Sequence, residues 1–157
     1  MSTFKMVYND NYNNTEIKKN SIEYILNPFR AISGYVGGVG VSPECPAESM
    51  QLVSEIFNKM NGIQIRHYIL SFDPAEFSEP YIVNDIACQI AEHIGKEYQV
   101  VFAVHENKPH LHVHFIVNTV SYIDGHRHRG THAEFYGLKS HISNILRKYG
   151  VNVLVYV

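Results

Sequence analysis

The chain lacks the features that would place it in a specialised class of proteins. It has no Trp and two Cys among 157 residues, and its formal net charge is −2. Cys45 and Cys88 are too far apart in sequence to suggest a zinc-binding pair or a disulfide framework, so we expect two reduced thiols. No apolar run is of membrane-spanning length and no apolar leader segment opens the chain, which favours a cytoplasmic protein. The slightly negative charge excludes a broadly basic surface, so any contact with DNA must be local.

Composition and apolar spacing predict one globular domain over residues 1–157. Hydrophobic residues make up 45% of the chain, which is enough to fill a core at this length. Helices are predicted over 15–27, 46–60, 79–95 and 131–149, with Thr15 as the first N-cap and Gly62 just beyond the second helix. Strands are predicted over 4–8, 63–72, 98–105, 110–121 and 151–157, and the Gly-rich segment 32–41 is a loop or a bent strand. This order predicts an α+β fold with a mostly antiparallel central sheet and helices packed on it.

Histidines alternate with apolar residues in one short run of the chain. Because successive side chains of a strand point to opposite faces, one face would carry His110, His112 and His114, and the other Leu111, Val113 and Phe115. A row of imidazoles suits a metal ion better than a core, since every ring nitrogen needs a partner. The outer two histidines lie about 13 Å apart at ~3.3 Å per residue, so one ion should not bind all three. We therefore predict His112 and His114 as ligands, with His105 as the third if the preceding strand ends beside them.

Several segments, in this order along the chain, resemble one family of DNA-processing enzymes. They are 21–28, where Tyr24 precedes Asn27-Pro28; 66–72, which reads Arg-His-Tyr-Ile-Leu-Ser-Phe; 105–118, which ends in His112, His114 and Asn118; and 124–150, from Asp-Gly to the close of a helix. The set resembles the relaxases, the mobilisation nucleases of conjugative plasmids and integrative elements, in particular the Tyr-dependent Mob-type branch. Two positions depart from the family: Phe29-Arg30 stands where a Lys-Thr pair is frequent, and Glu106-Asn107 where an Asp follows the first histidine.

The resemblance implies both a fold and a reaction. The fold is the two-layer histidine-triad (HUH) nuclease fold. The reaction is attack by the Tyr24 hydroxyl on one DNA strand at an origin of transfer, which leaves a 5′-phosphotyrosyl link. A divalent ion, Mn²⁺ or Mg²⁺, would be held by the three histidines and would bind the scissile phosphate. The partners implied are single-stranded or hairpin DNA, accessory mobilisation proteins and a coupling protein.

Further residues are predicted around this site. Contacts to a metal ligand or to DNA are predicted for five residues: His110, Asn118, Glu106, Ser71 and His67. His67, like His93, His132 and His141, also suits a structural or surface role. The predicted phosphate-binding cations are Arg66, Lys108, Arg127 and Arg129.

Two alternatives use the same histidines differently. A replication initiator or small transposase of the same superfamily would use Tyr136, on the helix after the histidines, as its nucleophile. Tyr35 in the Gly-rich segment is a further rival to Tyr24. A truncated relative would bind metal and hairpin DNA without cleaving it. The identity of the tyrosine that becomes attached to DNA distinguishes these readings.

Overall fold

The computed structural model describes residues 1–42, 44–106, 108–151 and 153–156, which form a six-stranded sheet with helices on both faces. In chain order the elements are β1 (Ser2–Val7), a 3₁₀ turn (Asp10–Asn13), α1 (Thr15–Leu26), β2 (Ala31–Val39), α2 (Pro46–Ile56), β3 (Ile65–Ser71), α3 (Pro80–Ile94), β4 (Val100–His105), β5 (His112–Asn118), α4 (His132–Arg147) and β6 (Val153–Tyr156). None of these helices is long and apolar enough to cross a membrane.

The strands are arranged in the order β2-β4-β5-β3-β1-β6. Every neighbouring pair is antiparallel except β1 and β6, which run parallel. The predicted histidine hairpin is the β4–β5 pair, and both of its strands lie inside the sheet. The predicted α+β fold with a mostly antiparallel sheet is thus confirmed.

One face of the sheet is covered by α3 and α4. Ile86 and Ile90 of α3 and Ile142 of α4 are fully buried there against strand residues such as Phe115. The pattern of α3 matches its sequence signals, because Pro80 stands in its first turn and Gly95 follows its last residue. Burying a side chain of this size contributes about 1.5–3 kcal/mol. More of the buried apolar residues lie on this face than on the other, so it holds the larger part of the core.

The other face, which carries the histidines, is partly covered by α1 and α2. Ile22 and Ile25 of α1 and Met50 of α2 pack against Ala103 and Ile116 of the β4–β5 hairpin. These helices add a third layer to the two that the sequence analysis expected. As a result α1 is held directly over the hairpin.

Several element ends differ from the prediction. Asn14, rather than Thr15, caps α1, because its side chain accepts hydrogen bonds from the amides of Glu16 and Ile17. The second helix ends four residues early, where Asn58 takes a φ of 53°, and Gly62 lies in the loop beyond it. The Gly-rich segment is strand β2, with an irregular register between Ala31 and Val36. Predictions that include Asn107 and Val157 extend outside the described residues.

Candidate active site

The strand register brings three histidines together. His105 is the last residue of β4 and lies directly opposite His112, the first residue of β5, while His114 lies opposite Ala103. Their ring centroids are 4.4–5.2 Å apart, and one ligand nitrogen from each lies within 4.8 Å of the others. All three rings are buried. The predicted ligand set is therefore assembled by the hairpin.

His110 does not belong to this row. The strand begins at His112, so His110 lies in the connecting loop and the predicted alternation does not reach it. Its backbone carbonyl accepts a hydrogen bond from His112 Nδ1 at 3.3 Å. Its ring centroid also lies 5.7 Å from that of His112, so His110 stands beside the three clustered histidines without belonging to the cluster.

Each triad ring uses one nitrogen in a hydrogen bond and keeps the other free. His105 Nε2 donates to the Ile25 carbonyl of α1 at 2.7 Å, which leaves its Nδ1 lone pair. The bond from His112 Nδ1 to the main chain leaves Nε2, and His114 Nδ1 lies 2.7 Å from His67 Nε2. Metal-binding imidazoles are usually oriented in this way by a partner on the second nitrogen.

His67 is the side chain that completes this arrangement. Residues 65, 67, 69 and 71 of β3 share the face of the histidines, and His67 Nδ1 lies 3.1 Å from the Tyr12 hydroxyl. With His114 Nδ1 donating to His67 Nε2 and His67 Nδ1 donating to the Tyr12 hydroxyl, both imidazole protons have an acceptor and His114 Nε2 keeps its lone pair. The role of Tyr12 was not predicted, because no local pattern connects residues 55 positions apart.

The environment keeps these rings neutral. Burial, together with the neighbouring histidines, lowers the pKa of His114 to about 2 and those of His112 and His67 to about 4. The His105 pKa is also lowered, by burial and then by the Arg30 charge. Neutral imidazole is the form that binds metal. Three converging neutral donors therefore fit a divalent cation.

Tyr24 lies beside the triad at the end of α1. Its ring centroid is 6.5 Å from that of His105 and 6.3 Å from that of His114. The Arg30 guanidinium lies over the Tyr24 ring, 4.3 Å from its centroid, and Nη1 donates to the Tyr24 hydroxyl at 3.1 Å. Arg30 was not predicted at the site, although it stands at one of the positions that depart from the family pattern after Asn27-Pro28.

The two rival tyrosines lie elsewhere. Tyr35 of β2 packs against the core on the face that α3 and α4 cover. Tyr136 lies on α4, where it stacks with His132 at 6.2 Å between ring centroids. The sheet separates both from the histidine face.

Other predicted contacts fall into two groups. Ser71 is paired with His112 in the ladder, and Glu106 and Lys108 are exposed in the hairpin loop next to the triad. Asn118 lies at the far end of β5, where its side chain donates to the Met50 carbonyl and to Gln99. Its polar atoms serve the packing of α2 rather than the triad.

Three of the four predicted phosphate-binding cations are not brought to the triad. Arg66 precedes His67 on β3 and so faces the opposite side of the sheet, where it donates to the Arg129 carbonyl. Arg127 donates to the carbonyls of Ile63 and Lys59. Its guanidinium therefore stabilises a loop. Arg129 is exposed in the same loop, which follows the end of β5 that is remote from the triad. Only Lys108 lies beside the histidines.

Comparison with known proteins identifies relatives over most of the chain. "Protein rlx" of Staphylococcus aureus is 31% identical over 98 residues, 62% of this chain and 31% of the relative. The group II intron-interrupted relaxase LtrB of Lactococcus lactis is 35% identical over 72 residues, 45% of this chain and 13% of the relative. The chain therefore spans about a third or less of the length of these curated relatives.

The fold has a counterpart among solved structures. A structure concerning the molecular basis of vancomycin resistance transfer in Staphylococcus aureus matches with a TM-score of 0.50 and 19% identity, over 78% of this chain and 75% of that chain. At this identity the likeness concerns the fold. Residues 24–151 match the model of the relaxase family described as MobA/VirD2-like, nuclease domain. Since this match covers most of the chain, the protein belongs to the MobA/VirD2-like relaxase family.

Proposed function

We propose that the chain is a metal-dependent, strand-specific DNA endonuclease that nicks an origin of transfer for conjugative mobilisation. The observation that carries this proposal is that the Tyr24 ring, whose hydroxyl accepts a hydrogen bond from Arg30, lies beside two of the three clustered, buried and neutral histidines. Family membership supports the same reaction class.

The reaction replaces one phosphate ester by another. Tyr24 Oη loses its proton and attacks the scissile phosphorus, a bond forms between them, the bond from phosphorus to the 3′ oxygen breaks, and that oxygen takes up a proton. The products are a 5′-phosphotyrosyl link and a free 3′ hydroxyl, and the reverse step reseals a strand. A phenol is a weak nucleophile at neutral pH, so it needs a neighbouring group that stabilises its negative charge. The Arg30 guanidinium lies within hydrogen-bond distance of the Tyr24 oxygen and supplies the positive charge that stabilises it.

His105, His112 and His114 would hold the divalent ion. When bound, the ion supplies Lewis-acid stabilisation of the charge on the scissile phosphate. Mg²⁺ prefers oxygen ligands, whereas Mn²⁺ is a first-row transition ion that binds at nitrogen sites and also accepts the oxygen of a phosphate. We therefore propose Mn²⁺ rather than Mg²⁺ for this set of donors.

The nicked DNA itself defines the test. The purified protein is incubated with Mn²⁺ and a supercoiled plasmid that carries the cognate origin, and protein attached covalently to DNA is digested and sequenced by mass spectrometry. The expected adduct lies on Tyr24. An adduct on Tyr136 would instead support a replication-initiator or transposase-like enzyme, and binding without any adduct would support a non-cleaving relative.

The wider setting follows from the same proposal. The substrate would be single-stranded or hairpin DNA, and accessory mobilisation proteins and a coupling protein would act with the full-length protein in the cytoplasm. Lys108 and Arg30 are the cations placed to contact DNA at the triad. DNA contacts by Arg66, Arg127 and Arg129 would have to form on a different surface.

A further inference from the structure

The turn between α1 and β2 presents an aromatic ring to solvent. Phe29 is 92% exposed, the largest value among the exposed large apolar side chains in the described part of the chain, where Ile56 follows at 66%. A single exposed apolar side chain is common and carries no meaning by itself. The position of Phe29 suggests a function, because the next residue in the same turn is Arg30, which donates a hydrogen bond to the Tyr24 hydroxyl.

The turn is fixed by its own hydrogen bonds. Asn27 Oδ1 accepts from the Phe29 amide at 2.9 Å, and the Asn27 carbonyl accepts from the amides of Arg30 and Ala31 at 2.9 and 2.8 Å. Pro28 restricts the backbone between them. The Phe29 ring is therefore carried on a turn that is held by three hydrogen bonds.

The side chains of Phe29 and Arg30 in this turn have different surroundings. Arg30 folds back over Tyr24 and donates to its hydroxyl, whereas Phe29 stays in solvent. Their Cα atoms are about 3.8 Å apart. A phosphate that contacts Arg30 at the Tyr24 hydroxyl would thus leave the base of its nucleotide within reach of the Phe29 ring.

We propose that residues 27–30 form the subsite for the nucleotide at the cleaved phosphate, in which Phe29 stacks on the base and Arg30 binds the phosphate. This inference rests on the proposed function, since it takes Tyr24 as the residue that meets that phosphate. Stacking accepts any base, because every base has a π-face. The subsite therefore contributes affinity and position, and it does not read sequence.

The test compares two probes of equal backbone charge, (dT)12 and an abasic 12-mer, by fluorescence anisotropy on the whole chain without metal. Phe29→Ala should weaken binding of (dT)12 by about 5- to 150-fold and leave the abasic probe unchanged. Phe29→Tyr should bind both probes as the wild type does. Arg30→Gln should weaken binding of both probes and reduce the salt slope by about 0.7.

The matched control is Tyr81→Ala. Tyr81 is an aromatic side chain of α3 that is 56% exposed, and α3 lies on the opposite face of the sheet. This variant should bind both probes as the wild type does. A (dT)12 probe that carries one 5-iododeoxyuridine should, on irradiation, cross-link to the peptide that contains Phe29.

The outcomes separate this inference from the proposed function. An adduct on Tyr24 together with unchanged binding of both probes by Phe29→Ala would overturn the subsite and leave the nuclease standing. Cross-links confined to peptides of α3 or α4 would overturn it as well. Selective loss of (dT)12 binding in Phe29→Ala with no adduct in the wild type would refute the nuclease and support the nucleotide-binding turn.

Discussion

Tyr24 differs from the other exposed tyrosines in its neighbours. Tyr81, Tyr136 and Tyr24 have similar exposed fractions, between 46% and 56%. Tyr24 alone among these three contacts an arginine at its hydroxyl and two triad rings at its edge. Exposure makes a hydroxyl accessible, and the neighbours decide what it can do.

Replacing the Tyr24 hydroxyl should abolish covalent attachment to DNA. Tyr24→Phe removes the oxygen that we propose attacks the phosphate and keeps the ring that contacts the histidines, so no adduct should form while affinity for single-stranded DNA changes by less than about threefold. Gel analysis of the protein–DNA adduct measures the first and anisotropy the second. Tyr136→Phe is the control and should form adduct as the wild type does; a loss confined to Tyr136→Phe would contradict the assignment.

His67 should act on the metal through His114. His67→Phe removes the acceptor of the His114 proton, so the His114 ring is no longer held in one orientation and Mn²⁺ affinity should fall by about 10- to 100-fold. Isothermal titration calorimetry measures this directly. His67→Gln retains an oxygen acceptor and should lose less. His132→Phe, on exposed α4 surface, should bind Mn²⁺ like the wild type; equal losses in both Phe variants would refute the specific role.

At the scale of elements, the hairpin and α1 act as one unit. His105 donates to the Ile25 carbonyl of α1, and the next helical residue towards the N-terminus is Tyr24. Ile22 and Ile25 fasten the same helix to the sheet. The distance from the tyrosine hydroxyl to the triad is therefore set by packing of a helix on a strand pair, and not by a loop.

The α1–α2 contact contains a buried charge that should cost stability. Lys18 is 1% exposed, its Nζ donates to Gln51 at 2.6 Å, and burial lowers its pKa to about 8. Below pH 8 the lysine is protonated in both the folded and the unfolded protein, so the full free-energy cost of burying its charge applies. Between pH 8 and about 10.5 the unfolded chain binds more protons, so the free energy of unfolding should rise with pH.

Lys18→Met should therefore raise the free energy of unfolding at pH 7 by about 1–3 kcal/mol. The difference in the free energy of unfolding between Lys18→Met and the wild type should narrow as pH approaches 10, where Lys18 in the folded wild type is already neutral. Urea unfolding at pH 7 and at pH 10 measures both values. Lys19→Met, at an exposed position of the same helix, is the control and should change little. A gain at Lys18 that is independent of pH would contradict the electrostatic explanation.

Sequence patterns determine local structure better than they determine long-range partners. The alternation of His112 with His114 and the Pro80 and Gly95 signals of α3 depend on near neighbours, so they could be predicted. The Tyr12–His67–His114 chain depends on which strands become adjacent, and no local pattern contains that information. Likewise, the charge of a residue does not determine which face of the sheet its side chain occupies. Arg66 was predicted at the site, but its position on β3 places it on the face opposite the histidines.

At the scale of the whole molecule, the distribution of charge matters more than its sum. The formal net charge is −2, and the cations next to the triad are Arg30 and Lys108. Arg66, Arg127 and Arg129 lie together away from it. DNA affinity at the site should therefore depend on few phosphates.

The salt dependence of DNA binding should accordingly be shallow. Each phosphate neutralised on a single strand contributes about −0.7 to the slope of log affinity against log salt, so two to four contacts predict a slope of about −1.4 to −2.8. Anisotropy titrations between 50 and 300 mM salt, on the order of a sixfold range, measure it. Lys108→Gln should reduce the slope by about 0.7, and Arg129→Gln should not. A slope near −10 would require a much larger basic surface.

The direct opposition of His105 and His112 across two strands makes a bound ion a crosslink between them. A hairpin slipped by one residue would move a triad ring to the opposite face, so only the native register can bind the ion. Mn²⁺ at 100 times its dissociation constant should then stabilise the fold by about 2.7 kcal/mol and raise the melting temperature by roughly 5–10 °C. EDTA should reverse the rise, and His114→Ala should not show it. Metal supply would thereby set the thermal stability of the protein as well as its activity.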